Sequence, residues 1–470
     1  MNPILALTLA GLVALALVPP QPAAAAEPPP NIIYILLDDA GYGDLSLYGQ
    51  EHFKTPHMDR IGLEGIKFTQ HYSGSTVCAP TRSVLITGLH TGRTPIRGNR
   101  EVRPVGQAPL PADAPNFVKL LQENGYATGA FGKWGLGIPG STGAPTNQGF
   151  DRFFGYICQR NAHTYYPTWL FDNDKQIELD GETYSQDPIM EQALEFIRKH
   201  DDQPFFCYLP MLIPHAAMQV PEAYAAPFRE QFAEHEDKIG RYAGTEVRNP
   251  AAMFAGMMTR LDQDIGRVLA LLDELGIDDN TVVMLSSDNG PHREGGHMPE
   301  LFNSGGGLRG FKRDLYEGGI RVPMVVRWPG VIEAGRATDH ISAHWDIFPT
   351  VCDIAGIKPP AGLDGISFLP TLTGAINKQP AHQFLYWEFH EQRGRRAVRF
   401  GPWKAVQQGL ADGPNTPIEL YNLDQDRAEQ HDLAANHPDL VDQARQLFED
   451  AHTPSPIWRF SWQQEGAAAN

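Results

Sequence analysis

The feature that most constrains the fold of this chain is a series of short apolar runs, rich in β-branched residues, that alternate with segments of helical periodicity. Such an alternation is typical of an α/β fold, in which helices cover a central sheet. The apolar runs predict strands at 31–37, 66–72, 126–131, 204–209, 281–286 and 322–327. The periodic segments predict helices at 55–65, 115–124, 189–200, 250–276 and 345–355.

The pattern changes near residue 380. Here we predict short antiparallel strands at 383–389, 396–406 and 418–423, followed by a polar helix at 437–451. A chain of 470 residues has room for one large and one smaller domain, which we place at 27–380 and 381–470. Three further segments are interpreted as loops because they are polar or rich in glycine: 217–250 as an insertion, and 135–147 and 303–310 beside an active site.

The first 26 residues are typical of a signal peptide, with an apolar stretch at 4–18 and a small-residue cleavage site at 24–26. This segment lacks Lys and Arg before the apolar stretch, so a single N-terminal anchor helix is the alternative. We expect an exported protein, either periplasmic or extracellular, with no stable insertion in the membrane. The formal charge of −18 argues against a nucleic acid as the partner, because phosphate binding needs a basic face.

Acidic and amide side chains follow two of the predicted strands. Asp38 and Asp39 come directly after strand 31–37, and Asp288 and Asn289 come after strand 281–286. In open α/β sheets, ligand-binding groups gather at the carboxyl ends of the strands, so these two pairs are expected to converge on one ion. Their oxygen atoms are suited to Ca²⁺ or Mg²⁺. Taken separately, each pair is also compatible with an ordinary turn at a strand end.

Residues 78–83, Cys-Ala-Pro-Thr-Arg-Ser, place a cysteine at the expected start of a helix. The helix N-terminus and Arg82 would both favour a thiolate, so we expect Cys78 to be acidified and nucleophilic. The alternative is a buried structural cysteine. Of the other cysteines, Cys207 lies in a predicted strand and Cys352 in a predicted helix, and a disulfide framework is not expected.

Several motifs, in this order along roughly residues 30–450, resemble those of the sulfatase family in the alkaline phosphatase superfamily. They are Asn31–Asp39, Cys78-x-Pro80-x-Arg82, Gly132-Lys133-Trp134, Pro214-His215, Ser287–Gly290, Leu308–Lys312 and Tyr316–Pro323. The resemblance implies a large mixed sheet flanked by helices, with a small antiparallel sheet in a C-terminal subdomain. It also implies that a separate formylglycine-generating enzyme oxidises Cys78 to formylglycine, whose hydrate is the nucleophile.

The resemblance further implies a role for each matching residue. Calcium would be bound by Asp38, Asp39, Asp288, Asn289 and the modified Cys78. Arg82 and Lys133 would hold the nucleophile, Lys312 would bind a sulfate oxygen, and His215 would interact with the leaving oxygen. Without the flanking motifs, Lys312 would be interpreted as a surface lysine and His215 as a capping or core histidine.

One position departs from the family pattern. The family commonly has a histidine two residues after the signature lysine, where this chain has Gly135. Our hypothesis is that His163 supplies the missing base; a carboxylate, a water molecule or simply slow turnover are alternatives. It is equally compatible with the sequence that His163 only shapes a pocket with Tyr165 and Tyr166.

The sequence therefore predicts hydrolysis of sulfate monoesters, with a sulfated carbohydrate as the favoured substrate. Tyr165, Tyr166 and Trp169 are candidates for stacking on a sugar ring. His292 and His297 are candidates for lining the pocket, and Arg97, Arg100 and Arg103 are candidates for binding further anionic groups. The alternatives are a formylglycine-dependent phosphonate monoester or phosphodiester hydrolase and a non-catalytic protein that binds sulfated glycans.

Overall fold

The computed structural model describes residues 29–465, and the predicted signal peptide lies outside the described residues. The centre of the molecule is a sheet of ten strands in the order β13-β2-β12-β11-β1-β8-β4-β5-β6-β7. Its strands are β1 (Asn31–Leu37), β2 (Ile66–Phe68), β4 (Ala127–Lys133), β5 (Arg152–Tyr156), β6 (Trp169–Asp172), β7 (Lys175–Glu178), β8 (Phe205–Pro210), β11 (Thr281–Ser287), β12 (Met324–Arg327) and β13 (Arg336–Thr338).

Five neighbouring strands, β11, β1, β8, β4 and β5, run parallel in the middle of the sheet. Every residue of β1 is buried, as expected for a strand that is covered on both faces and is apolar throughout. Strand β12 pairs antiparallel with β11, and β5 pairs antiparallel with β6. The sheet is therefore mixed, and the predicted α/β class is confirmed.

Helices cover both faces of this sheet. The longest begins at Pro250, where the side chain of Asn249 accepts a hydrogen bond from the amide of Ala252, and it buries an apolar face against three other helices. The helices are α1 (Pro56–Leu63), α2 (Cys78–Thr87), α3 (Phe117–Glu123), α4 (Gln186–Lys199), α5 (Glu222–Arg229), α6 (Pro250–Leu275), α7 (Glu317–Ile320), α8 (Ile347–Ile354), α9 (Leu369–Leu372), α10 (Pro438–Ala451) and α11 (Ser461–Glu465). None of the helices in the described part of the chain has the length and apolarity needed to span a bilayer.

Two predictions about regular structure before residue 380 were wrong. Segment 66–72 is not one strand: β2 belongs to the large sheet, whereas β3 (His71–Tyr72) pairs with β14 (Ser342–Ala343) in a separate sheet. Segment 217–250 is not a plain loop, because it contains α5 and a hairpin of β9 (Ile239–Tyr242) and β10 (Thr245–Arg248). Helix α5 forms because Ala225, with Tyr224 and Phe228, packs into the core of the domain, despite a proline at 227.

The C-terminal part contains a four-stranded antiparallel sheet of β15 (Leu385–Phe389), β16 (Arg395–Phe400), β17 (Trp403–Gln408) and β18 (Ile418–Asn422). The predicted strand 396–406 is in fact two strands, joined by a turn at 401–402. Helix α10 packs on β16 through Ala444 and Phe448. A domain boundary at 380 stays a prediction.

Candidate active site

The site lies at the carboxyl ends of four of the five central parallel strands. Strand β4 ends at Lys133, β1 is followed by Asp38 and Asp39, and β11 is followed by Asp288 and Asn289. His215 lies five residues beyond the end of β8. The register of β1 on β11, with Leu37 beside Ser287, sets the two acidic segments side by side. A cleft of about 450 Å³ opens here, and its walls include Cys78, Lys133, His163, His215 and Lys312.

Cys78 is the first residue of α2 and is only 2% exposed. The start of this helix is fixed to the acidic segment because the hydroxyl of Thr81 donates to the carbonyl of Asp288 at 2.7 Å. The Sγ atom of Cys78 lies 3.4 Å from Oδ1 of Asp38 and 3.4 Å from Nζ of Lys133. The predicted helix start is thus confirmed, and the cysteine faces both an acidic and a basic group.

The four predicted metal ligands from the strand ends lie together. The amide nitrogen of Asp39 donates to Oδ1 of Asp288 at 3.0 Å, and Nδ2 of Asn289 donates to Oδ1 of Asp39 at 2.7 Å. Carboxylate oxygens of Asp38, Asp39 and Asp288 all lie within 4.8 Å of one another. Asp39 has a φ of 71°, a strained conformation for a non-glycine residue that is often found at functional sites.

The residues present fit a hard divalent cation. Oδ1 of Asn289 is buried and has no hydrogen-bond partner among the described residues, so it is free to accept a cation. The neighbouring donor atoms are carboxylate oxygens, which Ca²⁺ prefers as ligands. Three carboxylates this close together repel one another when ionised, and a bound cation would remove that cost.

Three cationic side chains surround the carboxylates. Lys133 Nζ lies 2.5 Å from Oδ2 of Asp38, and Lys312 Nζ lies 2.8 Å from Oδ2 of Asp39. Arg82 Nη2 lies 3.4 Å from Oδ2 of Asp288, while Nη1 donates to the carbonyl oxygen of Lys133. All three side chains are buried, so each charge is held in place by its partners.

The pKa values of the carboxyl groups reflect this balance. Burial alone would raise the pKa of Asp38, but the charges of Lys133, His215 and Arg82 outweigh it and hold the pKa at about 2. Asp288 behaves in the opposite way: burial and the neighbouring charge of Asp38 raise its pKa to about 8. Without further positive charge, the cluster therefore keeps a proton at neutral pH, which again favours a cation at this place.

The expectation that Cys78 is acidified was wrong. Burial and the negative charges of Asp38 and Asp288 raise the pKa of its thiol well above the ordinary value, against the opposing effect of Lys133. The helix N-terminus acts over one turn, whereas these carboxylates are brought in from distant parts of the sequence. The thiol is therefore protonated at neutral pH and, in this state of the site, a poor nucleophile.

Two histidines stand side by side in the cleft. The rings of His163 and His215 are nearly parallel, with centroids 5.3 Å apart. Nδ1 of His215 donates to the carbonyl oxygen of Ala216, and Nε2 lies 3.7 Å from Oδ2 of Asp39. Burial, with the charges of the two lysines, lowers the pKa of His215 to about 3 and that of His163 to about 4. Both rings are therefore neutral at neutral pH in this state of the site.

Several weaker predictions were wrong. His292 and His297 are buried behind His215 and are absent from the cleft walls; His292 contacts the carbonyl of Pro214 and His297 packs on Phe254.

Arg97 is 3% exposed and forms an ion pair with Glu388, so it is not available to bind an anion from solvent. Arg100 and Arg103 are exposed, close in the sequence to Asn99 and Glu101 of the cleft wall, and their binding of further anionic groups stays a prediction. Tyr165 is fully buried and donates to the carbonyls of Leu212 and His215, which supports the catalytic segment and leaves no face for a sugar.

The space left by the missing histidine at position 135 is filled by a residue that the sequence did not indicate. Gly135 has a φ of 81°, and a Cβ atom built there would lie 2.9 Å from Nε2 of Gln159. Arg313 was also missed; it lines the cleft and pairs with Glu294 at 2.6 Å. Glu294 in turn lies 3.3 Å from Lys312, so it belongs to the same charge network. Gln159 follows no recognisable motif, whereas Arg313 adjoins the predicted Lys312.

The chain matches the family model of sulfatases over residues 30–357 and that of the C-terminal region of N-sulphoglucosamine sulphohydrolase over residues 309–451. It is 32% identical to the N-acetylgalactosamine-6-sulfatase of Rattus norvegicus over 82% of this chain and 72% of that protein. It is 30% identical to arylsulfatase A of Homo sapiens over 89% of this chain and 87% of that protein.

Among solved structures, the chain resembles Ps i-CgsB in complex with k-i-k-neocarrahexaose, with a TM-score of 0.77, 27% identity and coverage of 93% of this chain and 96% of that chain. The fold is also that of the phosphonate monoester hydrolase of Agrobacterium radiobacter, at a TM-score of 0.64, 22% identity and coverage of 89% and 95%. The sulfatase model matches more than half of the chain, which carries the family's motifs in order around one cleft. The chain therefore belongs to the sulfatase family and is a sulfuric ester hydrolase.

Proposed function

We propose that this protein hydrolyses sulfate monoesters of a carbohydrate, using formylglycine made from Cys78 and a calcium ion bound by Asp38, Asp39, Asp288 and Asn289. The observation that carries the proposal is the convergence of Cys78, three carboxylates and three buried cations in one cleft. When present, the hydrated aldehyde supplies an oxygen nucleophile and the calcium ion neutralises negative charge on the sulfate.

The cationic residues position the reacting groups. Lys133 contacts Sγ of Cys78 and Asp38 together, so it holds residue 78 against the metal ligands. Arg82 ties Asp288 to the end of β4 and keeps the acidic cluster in place. Lys312 lines the cleft, where its ammonium group is in reach of a sulfate oxygen, and we assign it to binding that oxygen. His215 lines the same wall, and we assign it to the ester oxygen that leaves; because Nδ1 is committed to the carbonyl oxygen of Ala216, it can donate to that oxygen only through a protonated Nε2.

His163 is proposed as the base that replaces the missing histidine at position 135. It lies next to His215 in the cleft, and its neutral ring can accept a proton at neutral pH. A His163→Ala variant with formylglycine at position 78 should release about one equivalent of product per enzyme in a burst and then turn over slowly, whereas the mature protein with His163 turns over repeatedly. Normal steady-state turnover in this variant would refute the role and favour a pocket-shaping histidine.

The carbohydrate part of the proposal rests on the relatives. Ps i-CgsB was solved with a neocarrahexaose, and the N-acetylgalactosamine-6-sulfatase of Rattus norvegicus is named for a sulfated sugar. The steryl-sulfatase of Rattus norvegicus, 30% identical over 77% of this chain and 74% of that protein, is named for a different class of ester. Sulfate release from a panel of sulfated sugars, with a steryl sulfate as the comparison, tests this choice.

Two further proposals concern the export and the maturation of the protein. The segment typical of a signal peptide supports export to the periplasm or the outside. The Cys78–Arg82 motif supports recognition by a formylglycine-generating enzyme before the chain folds, because Cys78 is almost inaccessible afterwards. Cell fractionation with an antibody to the mature chain tests the first proposal.

The alternative functions make different predictions for the same assay. A phosphonate monoester or phosphodiester hydrolase, which the fold also accommodates, would cleave a phenyl phosphonate ester faster than the matching aryl sulfate. A non-catalytic binding protein would release no sulfate even after residue 78 has been shown to be formylglycine. We expect the mature protein to prefer sulfate esters, because the family model that covers residues 30–357 and the relatives aligned over most of the chain are those of sulfatases.

A further inference from the structure

Two glutamines beside the nucleophile lack partners for their side-chain amides. Gln107 and Gln159 are 4% and 5% exposed, and both line the cleft that contains Cys78. Oε1 of Gln107 and Nε2 of Gln159 are buried and make no hydrogen bond to any other residue that the structure describes. Buried polar atoms are almost always paired, so an unpaired acceptor and donor in one cleft indicate a missing ligand.

Both glutamines lie against the segment that follows Lys133. The amide nitrogen of Gln107 donates to the carbonyl of Gly137 at 2.9 Å, and the residue before it accepts from Sγ of Cys158 at 3.8 Å. The side chain of Gln159 lies beside Gly135, and its Nε2 would be only 2.9 Å from a Cβ atom built on that glycine. The two glutamines therefore lie on the side of the cleft next to the 135–137 segment.

The glutamine side of the cleft differs in chemistry from the part of the cleft that carries Lys133 and Lys312. Amides are uncharged and offer one donor group and one acceptor group, which match the hydroxyl group in size and polarity. Arg160 and Glu101, which also line the cleft, pair with each other at 3.2 Å. Among the described residues, each cation that lines the cleft is paired with a carboxylate: these cations are Lys133, Arg160, Lys312 and Arg313. A second anionic group would compete with those carboxylates, whereas hydroxyl groups can accept from Gln159 and donate to Gln107.

We propose that Gln107 and Gln159 form a subsite for hydroxyl groups on the substrate carbon next to the sulfate ester. The proposal rests on the proposed sulfatase function and adds to it a preference for an uncharged, hydroxylated neighbour over a second anionic group. The subsite exists because residue 135 is glycine, since a larger residue there would displace Gln159.

Two aryl sulfates test the subsite without knowledge of the natural sugar. 4-Nitrocatechol sulfate has a hydroxyl next to the sulfate ester, and 4-nitrophenyl sulfate lacks it. The measured quantity is the ratio of kcat/KM for the first ester to kcat/KM for the second, in mature protein. Gln159→Met and Gln107→Met should each lower this ratio about ten-fold, the usual worth of a hydrogen bond made in a dry site. Gln446→Met, on the exposed face of α10, is the control and should leave the ratio unchanged.

A second comparison changes the substrate instead of the protein, so it does not depend on whether a variant folds. Methylation of the hydroxyl of 4-nitrocatechol sulfate should lower kcat/KM of the mature protein without substitutions by a similar factor. An unchanged ratio in both glutamine variants, or equal rates for the hydroxyl and methyl ether esters, would overturn the subsite and leave the sulfatase function standing. No sulfate release from these esters or from the sulfated sugars, after residue 78 is confirmed as formylglycine, would overturn the proposed function itself.

Discussion

Replacement of Arg97 by methionine should destabilise the whole fold, because this arginine fixes the C-terminal sheet to the nucleophile-bearing part of the chain. Its Nη1 atom lies 2.8 Å from Oε1 of Glu388 on β15 and 2.8 Å from the carbonyl of Thr453, while Nε donates to the carbonyl of Thr94. The two charged side chains are 3% and 0% exposed. Methionine keeps much of the apolar stem but removes the charge and all three hydrogen bonds.

The magnitude follows from the carboxylate that is left behind. Breaking one partner of a buried ion pair typically costs about 3–5 kcal/mol, because the other charge remains in a dry environment. Glu388 keeps three other donors: His390 at 3.0 Å, His452 at 2.7 Å and Tyr386 at 2.8 Å. We therefore expect a loss at the lower end of that range, roughly 3 kcal/mol in the free energy of unfolding.

Urea denaturation followed by tryptophan fluorescence measures this loss. Arg393→Met is the matched control, since Arg393 pairs with Asp412 at a site where both side chains are 63% exposed. An exposed pair is worth about 0–1 kcal/mol, so the control should shift the midpoint little. Equal shifts in the two variants would refute the reasoning. A raised KM with unchanged stability in Arg97→Met would instead support a role in binding anions.

The same carboxylate makes the stability depend on pH. Burial alone would raise the pKa of Glu388, but His390, His452 and Arg97 outweigh it and hold the pKa well below its usual range. A group with a depressed pKa stabilises the fold above its unfolded value, about pH 4.3 for glutamate, and this contribution is lost as the pH falls further. The difference in urea midpoint between the unmodified chain and Glu388→Gln should therefore shrink as the pH is lowered from neutrality to below 4. A difference that grows on acidification would contradict this sign.

Three further predictions concern the site. Cys78→Ser should keep the urea midpoint of the unmodified chain but lose turnover, because serine cannot form the hydrated aldehyde; near-normal turnover would contradict the proposed nucleophile. Dialysis against a chelator should abolish activity, and Ca²⁺ should restore it. Asn289→Leu should raise the Ca²⁺ concentration needed for half-maximal activity at least ten-fold, measured by titration. Full activity in chelator would exclude the metal. Gly135→His should not increase turnover and should lower stability by about 1 kcal/mol, because φ is positive there; a faster enzyme would show that no other residue performs the role of the missing histidine.

The elements that could be predicted from the sequence are those whose local pattern and burial agree. Strand β1 and strand β11 are apolar runs followed directly by Asp or Asn, so their existence and the meeting of their ends followed from simple rules. Strands β6 and β7 were missed because they are short and half-exposed, and only pairing with their neighbours fixes them. Helix α5 was missed because its apolar contact with α6 is invisible in a charged segment.

In the site, too, some features follow from the local sequence and others only from the fold. The family motifs identified the residues around Cys78, but the raised pKa of the thiol depends on Asp38 and Asp288, which only the fold brings near. Charge alone likewise gave no means of telling the buried Arg97 from the exposed Arg100. Gln159 carries no motif, and its importance appears only once Gly135 is seen beside it.

Peptide mass spectrometry of the segment containing residue 78, on protein produced with a formylglycine-generating enzyme, tests the central claim most directly. The account predicts the mass of an aldehyde at position 78, in proportion to the specific sulfatase activity of each preparation. An intact thiol in a preparation that hydrolyses sulfate esters at full rate would contradict it.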